Sequence, residues 1–134
     1  MDWKEEYCTG VEDIDVQHRY FFALVSAMDE EKMASWSRDR FRVLLAEIQR
    51  FAHYHFRSEE RLMDAYGFAD RAAHEAEHAR IKRGIDEFLQ QAEIGALDML
   101  GLRKFLFEWL TTHTEARDRP LAEHVRKMRS EPPR

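Results

Sequence analysis

Between positions 38 and 66, apolar residues return every three or four places: Phe41, Leu44, Leu45, Ile48, Phe51, Ala52, Leu62, Met63 and Tyr66. That is the period of one helical face. It predicts a helix from about Arg38 to Tyr66, with Gly67 as its stop. The same period predicts three more helices. One runs from about Val16 to Met28 on Phe21, Phe22, Val25 and Met28. Another runs from about Ala69 to Ala92 on Ile81, Ile85, Phe88 and Leu89, before a break at Gly95. The last runs from about Leu97 to Glu115 on Leu102, Leu106, Trp109 and Leu110. The connections are short, so successive helices should be antiparallel neighbours. The expected fold is all-α, an up-down-up-down four-helix bundle within a single domain of residues 1–134. Residues 1–14 read as a non-helical N-terminal arm, 15–118 as the bundle, and 119–134 as a short helical tail with Leu121, Val125 and Met128 on one stripe. That stripe is expected to dock on its own bundle rather than on another subunit.

Certain steps of these apolar faces carry polar residues instead. On the second helix His55 and Glu59 fall inside the stripe. On the third, the face runs back to His78 and His74, and on the first back to His18. On the fourth it runs forward to His113. In an antiparallel bundle, the start of one helix lies level with the end of the next. The five histidines therefore converge at one end of the interior. His53 and His124 match no inward position and should face water, and Glu60 suits a surface acid.

Asp118 is harder to place. Five residues beyond His113 is about 140° round a straight helix, which misses the core. Pro120 disfavours helix just before it, so a bend or an end near Arg117 would let the Asp118 carboxylate turn back. The other reading is that Asp118 caps the tail helix.

Composition narrows the setting. The chain is 44% hydrophobic and 35% charged, with a net charge of −5, and it has no basic stripe of the kind nucleic-acid binding requires. The N-terminus is charged from its second residue, and no apolar run approaches the ~18 residues of a membrane span. The single cysteine, Cys8, cannot form an internal disulfide and suits a reducing compartment. The expectation is a cytoplasmic protein without a nucleic-acid or membrane partner.

Imidazoles and carboxylates gathered in an apolar interior need compensation, and a metal supplies it. Five histidines and two carboxylates exceed the four ligands of a structural zinc. The donor set suits iron among first-row metals. If Glu59 and Asp118 each bridge two metals, and a solvent oxygen also bridges, three histidines complete one metal and two leave the other a position short. An open position in an apolar pocket admits a diatomic ligand better than a bulky substrate.

Four segments then carry a resemblance: GVEDIDVQH at 10–18, HFRSEERLM at 55–63, HEAEH at 74–78 and WLTTHTEARD at 109–118. With Trp3 in the arm, the chain resembles the hemerythrin family, in particular its single-domain bacteriohemerythrins, over nearly its whole length. The resemblance implies reversible O2 binding at a non-haem centre of two iron ions with an oxo or hydroxo bridge. It implies His74, His78 and His113 on the saturated iron, His18 and His55 on the open one, and Glu59 and Asp118 as bridges. Trp109, Leu110 and Met63 match residues near the family's ligand pocket. Phe21 and Phe22, one turn from His18, are further candidate walls. The function expected is O2 storage, delivery or sensing rather than enzymatic turnover, with nitric oxide as another small ligand. The alternative is a di-iron redox enzyme: a peroxidase, an oxidase or a nitric oxide-handling protein. Oxygen-activating di-iron enzymes are usually carboxylate-rich with Glu-x-x-His motifs, and this histidine-rich set departs from that pattern.

Overall fold

The computed structural model describes residues 3–130. A 3-10 turn at Glu5–Tyr7 is followed by α1 (Glu12–Ser26), a short α2 (Glu30–Met33), α3 (Arg38–Tyr66) and α4 (Arg71–Glu93). The last rod is α5 (Met99–Glu108), a π-helical segment (Trp109–Asp118) and α6 (Arg119–Ser130) in unbroken succession. The four long rods form the expected all-helical bundle.

Local chemistry sets most of the boundaries. Ser37 accepts a hydrogen bond from the Arg40 amide and opens α3. Gly67, at φ 61°, closes it, and the Phe68 amide reaches back to the Met63 carbonyl (3.0 Å). At the start of α5, Asp98 accepts from the Gly101 amide (2.9 Å). The first helix begins at Glu12, four residues before the expected Val16, and it takes Ile14 out of the arm. The cause is Asp15. Its carboxylate accepts from Thr9 N (2.7 Å), Thr9 Oγ1 (2.8 Å) and Gly10 N (3.1 Å), which folds the preceding chain over the helix start. Glu12, Asp13 and Asp15 also set negative charge against the positive end of the helix dipole.

The fourth rod departs most from expectation. It neither bends away nor ends near Arg117. Its register widens over Trp109–Asp118, and the Arg119 amide bonds the Thr114 carbonyl five residues back. Two threonines satisfy carbonyls in this stretch: Thr111 Oγ1 donates to the Phe107 carbonyl (3.0 Å), and Thr114 Oγ1 to that of Leu110. Pro120, the second residue of α6, withholds an N–H where the chain returns to α register. Arg119 ties this point to the arm through the carbonyls of Cys8 (3.1 Å) and Glu6 (2.7 Å).

The core is divided in two. The larger apolar cluster contains Phe21, Val25, Ile48, Phe56, Ile81, Leu102, Leu106 and Trp109. The smaller contains Val11, Ile14, Met63, Leu121, Ala122 and Val125. On the rods most of the polar inward positions fall between them: His18 lies between Ile14 and Phe21, and Glu59 between Phe56 and Met63, while His55 sits one turn further into the larger cluster, between Ala52 and Phe56. Likewise His74 and His78 lie between Phe68 and Ile81, and His113 and Asp118 between Leu110 and Leu121. The polar layer is therefore closed above and below by hydrocarbon. The tail docks on its own bundle through Leu121 and Val125, both fully buried, but Met128 is 40% exposed and the stripe ends at Val125. No helix among the described residues is long and apolar enough to cross a membrane.

Leu121 fills the end cluster with no exposed surface. Leu121→Ala should cost about 2–5 kcal/mol in urea unfolding. The loss should be independent of protein concentration if the tail packs on its own chain. A concentration-dependent loss would place the tail on another subunit.

Candidate metal centre

Seven side chains that lie far apart in sequence meet in the polar layer. Each is buried, with at most 3% of its surface exposed: His18 and His55, Glu59, His74 and His78, His113 and Asp118. His55 and Glu59 are one helical turn apart on α3, and His74 and His78 one turn apart on α4, so both pairs face inward together. His113 and Asp118 could not share a face on an α-helix. The five-residue register of the π segment brings them into line, which sequence spacing did not reveal. Asp118 lies inside a continuous rod, so it is not an N-cap of the tail.

The two carboxylates divide their oxygens. Glu59 Oε1 lies 3.3 Å from His74 Nε2 and 2.9 Å from His78 Nε2, with His113 Nε2 at 4.0 Å. Glu59 Oε2 faces the other way, 3.3 Å from His55 Nε2 and 3.7 Å from His18 Nε2. Asp118 repeats the division. Its Oδ1 lies 3.0 Å from His74 Nε2 and 3.1 Å from His113 Nε2, and its Oδ2 lies 3.1 Å from His18 Nε2. The side chains thus form two overlapping sets. One contains His74, His78 and His113 with both carboxylates, and the other His18 and His55 with the same carboxylates. Within each set the candidate ligand atoms lie within 4.8 Å of one another.

Their hydrogen bonding is incomplete. Glu59 Oε2, both Asp118 oxygens and His113 Nε2 are buried without a hydrogen-bond partner among the described residues, and all converge on the same interior. Buried acceptors left in this state cost about 1–3 kcal/mol each. A cation shared among them removes that cost, so the donor set fits metal ions.

The electrostatics of the cluster agree. Burial opposes charge on His18, but the Asp118 carboxylate and then that of Glu59, both beside its ring, outweigh it and raise its pKa to about 10. Burial, Asp118 and Glu59 act on His74 in the same senses and leave it raised to about 9. Burial holds His55 below its usual range against the pull of Glu59. Burial alone would raise Glu59, yet the imidazoles of His55, His18 and His74 that face it hold it well below the carboxylate range. Asp118 is also lowered: burial and the neighbouring Glu59 push it up, but His113 and His18 prevail. The imidazoles that face them favour the ionised form of both carboxylates even in hydrocarbon.

The structure separates the pocket candidates. Phe21 and Trp109 are in edge contact, with ring centroids 4.1 Å apart, and Leu110 belongs to the same apolar cluster. Phe22 turns instead to the arm, against Trp3 (5.7 Å) and Tyr7 (5.8 Å). Met63 lies in the other cluster, on the far side of the polar layer. Sequence reading missed Phe56, whose ring lies nearly parallel to that of His78 at 4.2 Å. It also missed two hydrogen-bond partners. His55 Nδ1–H donates to Gln17 Oε1 (2.7 Å), and His78 Nδ1–H to Glu60 Oε2 (3.1 Å), so Glu60 is not simply a surface acid. His124 is half-buried against the Tyr66 carbonyl (2.6 Å) rather than solvated, whereas His53 is exposed as expected.

A helical bundle with a buried histidine–carboxylate cluster defines a metal-binding bundle protein. Residues 9–125 match the hemerythrin HHE cation-binding domain, and the chain belongs to the hemerythrin family. It is 29% identical over 115 residues to a bacteriohemerythrin of Methylococcus capsulatus, covering 84% of this chain and 87% of that protein. A hemerythrin-like protein of Naegleria gruberi is 27% identical over 125 residues, 88% of this chain and 87% of its own. The fold overlays a crystal structure of a hemerythrin mutant with a TM-score of 0.83 at 25% identity, covering 93% and 96% of the two chains.

His74 touches both carboxylates, whereas His53 touches neither. His74→Ala should lose most bound metal in elemental analysis, and His53→Ala should retain it. Equal metal content in the two variants would refute this assignment of the cluster.

Proposed function

We propose that this chain binds O2 reversibly at a carboxylate-bridged di-iron centre and serves O2 storage, delivery or sensing. His74, His78 and His113 would hold one iron, His18 and His55 the other, and Glu59 and Asp118 would span the pair. The observation that carries this reading is the unequal sharing of the two carboxylates, with three histidines on one side and two on the other. Three histidine nitrogens with both carboxylates would nearly complete one metal, and two histidines with the same carboxylates would leave the other a position for a small ligand. Imidazole and carboxylate donors suit iron, and an iron pair supplies the reversible electron exchange that O2 binding requires.

The protein's own part is to hold and to exclude. Trp109 and Phe21, in edge contact and each at most 5% exposed, put hydrocarbon near the His18–His55 side, and Leu110 belongs to the same apolar cluster. The Trp109 ring centroid lies 6.2 Å from that of His55. Such walls admit a diatomic molecule, nitric oxide included, and keep out bulk water and larger substrates. The histidine-rich set adds less negative charge than a carboxylate-rich one, which favours binding over oxidation of a substrate.

The test is visible absorption of anaerobic ferrous protein titrated with O2 and then purged. A charge-transfer band should appear with O2 and vanish on purging. A band that decays straight to the ferric state, with O2 consumed and no recovery, would make the chain a di-iron redox enzyme instead. Leu110→Ala should open the wall to water and speed ferric formation in air several-fold. An unchanged rate would remove Leu110 from the pocket.

A further inference from the structure

The five histidines differ in what stands behind them. His18, His74 and His113 have a buried Nδ1 with no hydrogen-bond partner among the described residues. His78 is backed by Glu60, and His55 by Gln17, whose amide donates in turn to Ser58 Oγ (3.0 Å). Both lines lead outward to one place. Glu60 and Ser58 line a single groove of about 570 Å³ on the outer side of α3 and α4. One histidine from each group is therefore joined to the same surface by one or two intervening side chains.

That groove is also basic. Arg57, Arg61 and Lys82 line it, and none of the three forms an ion pair among the described residues. Free positive charge here contrasts with a chain whose net charge is −5. Tyr54, 57% exposed, adds an aromatic contact on the same wall.

We propose that this groove docks an acidic one-electron carrier protein, and that the Glu60–His78 and Ser58–Gln17–His55 hydrogen-bond lines carry its electrons to the buried centre. The inference rests on the di-iron reading. A centre that has autoxidised no longer binds O2 until it is refilled. Its ligands are sealed between two apolar clusters, so a protein reductant must deliver electrons through the intervening side chains. Each reduced carrier gives up one electron, one ferric ion takes it, and two transfers restore the ferrous pair without making or breaking a bond in the chain. Redox complexes are small and transient, and charge steers them. Three cations and an exposed tyrosine suit that role, while a nucleic acid would need a longer basic track.

The test uses full-length, iron-loaded ferric protein and stopped-flow reduction. The probe is a reduced plant-type [2Fe–2S] ferredoxin as acidic carrier, with dithionite as small reductant. Reduction by ferredoxin should slow as salt rises. The combined variant Arg57→Glu, Arg61→Glu, Lys82→Glu should slow it about tenfold or more at low salt and weaken ferredoxin binding in calorimetry. Its iron content and dithionite rate should match the parent. An unchanged ferredoxin rate, in a protein that carries two irons and reduces with dithionite, would overturn the docking surface and leave the di-iron reading standing. Equal slowing with both reductants would place the effect on the centre and overturn docking as well. A parent protein that takes no iron, or that dithionite cannot reduce, would overturn the di-iron reading and this inference with it.

Discussion

Everything in this bundle answers to two carboxylates buried in hydrocarbon. Glu59 and Asp118 are at most 1% exposed, and each turns one oxygen to one histidine group and one to the other. An ionised carboxylate in such a place is very costly unless positive charge or a metal faces it. The histidines that supply that face come from all four rods, so the rods must agree in level and rotation. The apolar clusters on either side then fix that agreement by packing.

The π-helical segment follows from the same constraint. Asp118 has to reach the centre from a chain that already presents His113, five residues earlier. An α-helix would turn it aside. The wider register aligns the two, and the chain contains what that register requires. Thr111 and Thr114 cap carbonyls within it, Pro120 marks its end, and Arg119 ties that end to the arm. π-helical turns are found often at functional sites, and here the geometric reason is explicit.

The parts of this arrangement that were legible in sequence are those written in helical periodicity. His18, His55, Glu59, His74, His78 and His113 each occupy a step where an apolar residue is due, so the stripe itself gave their direction. Asp118 could be suspected only through Pro120, because a five-residue register leaves no trace in a 3.6-residue pattern. The start of α1 was misplaced because Asp15 bonds Thr9 and Gly10 across the turn, against the direction in which apolar spacing is read. Gln17, Glu60 and Phe56 escaped for another reason. Each is the immediate neighbour of a ligand position; Phe56 is itself on the inward period, four residues after Ala52, while Gln17 and Glu60 lie on its flank, and only the packed structure shows that they reach a histidine Nδ1. Phe22 was placed by closeness to His18 in sequence, which does not reveal that its ring turns to Trp3 and Tyr7 of the arm, and Met63 by the family resemblance, which does not fix the apolar cluster it joins.

On the proposed reading, one cluster of seven side chains holds two metals. Anomalous diffraction from crystals of the iron-loaded protein tests it most directly. Two iron peaks are expected, one beside His74, His78 and His113 and one beside His18 and His55, with Glu59 and Asp118 each contacting both. A single peak, or iron found away from these residues, would contradict it.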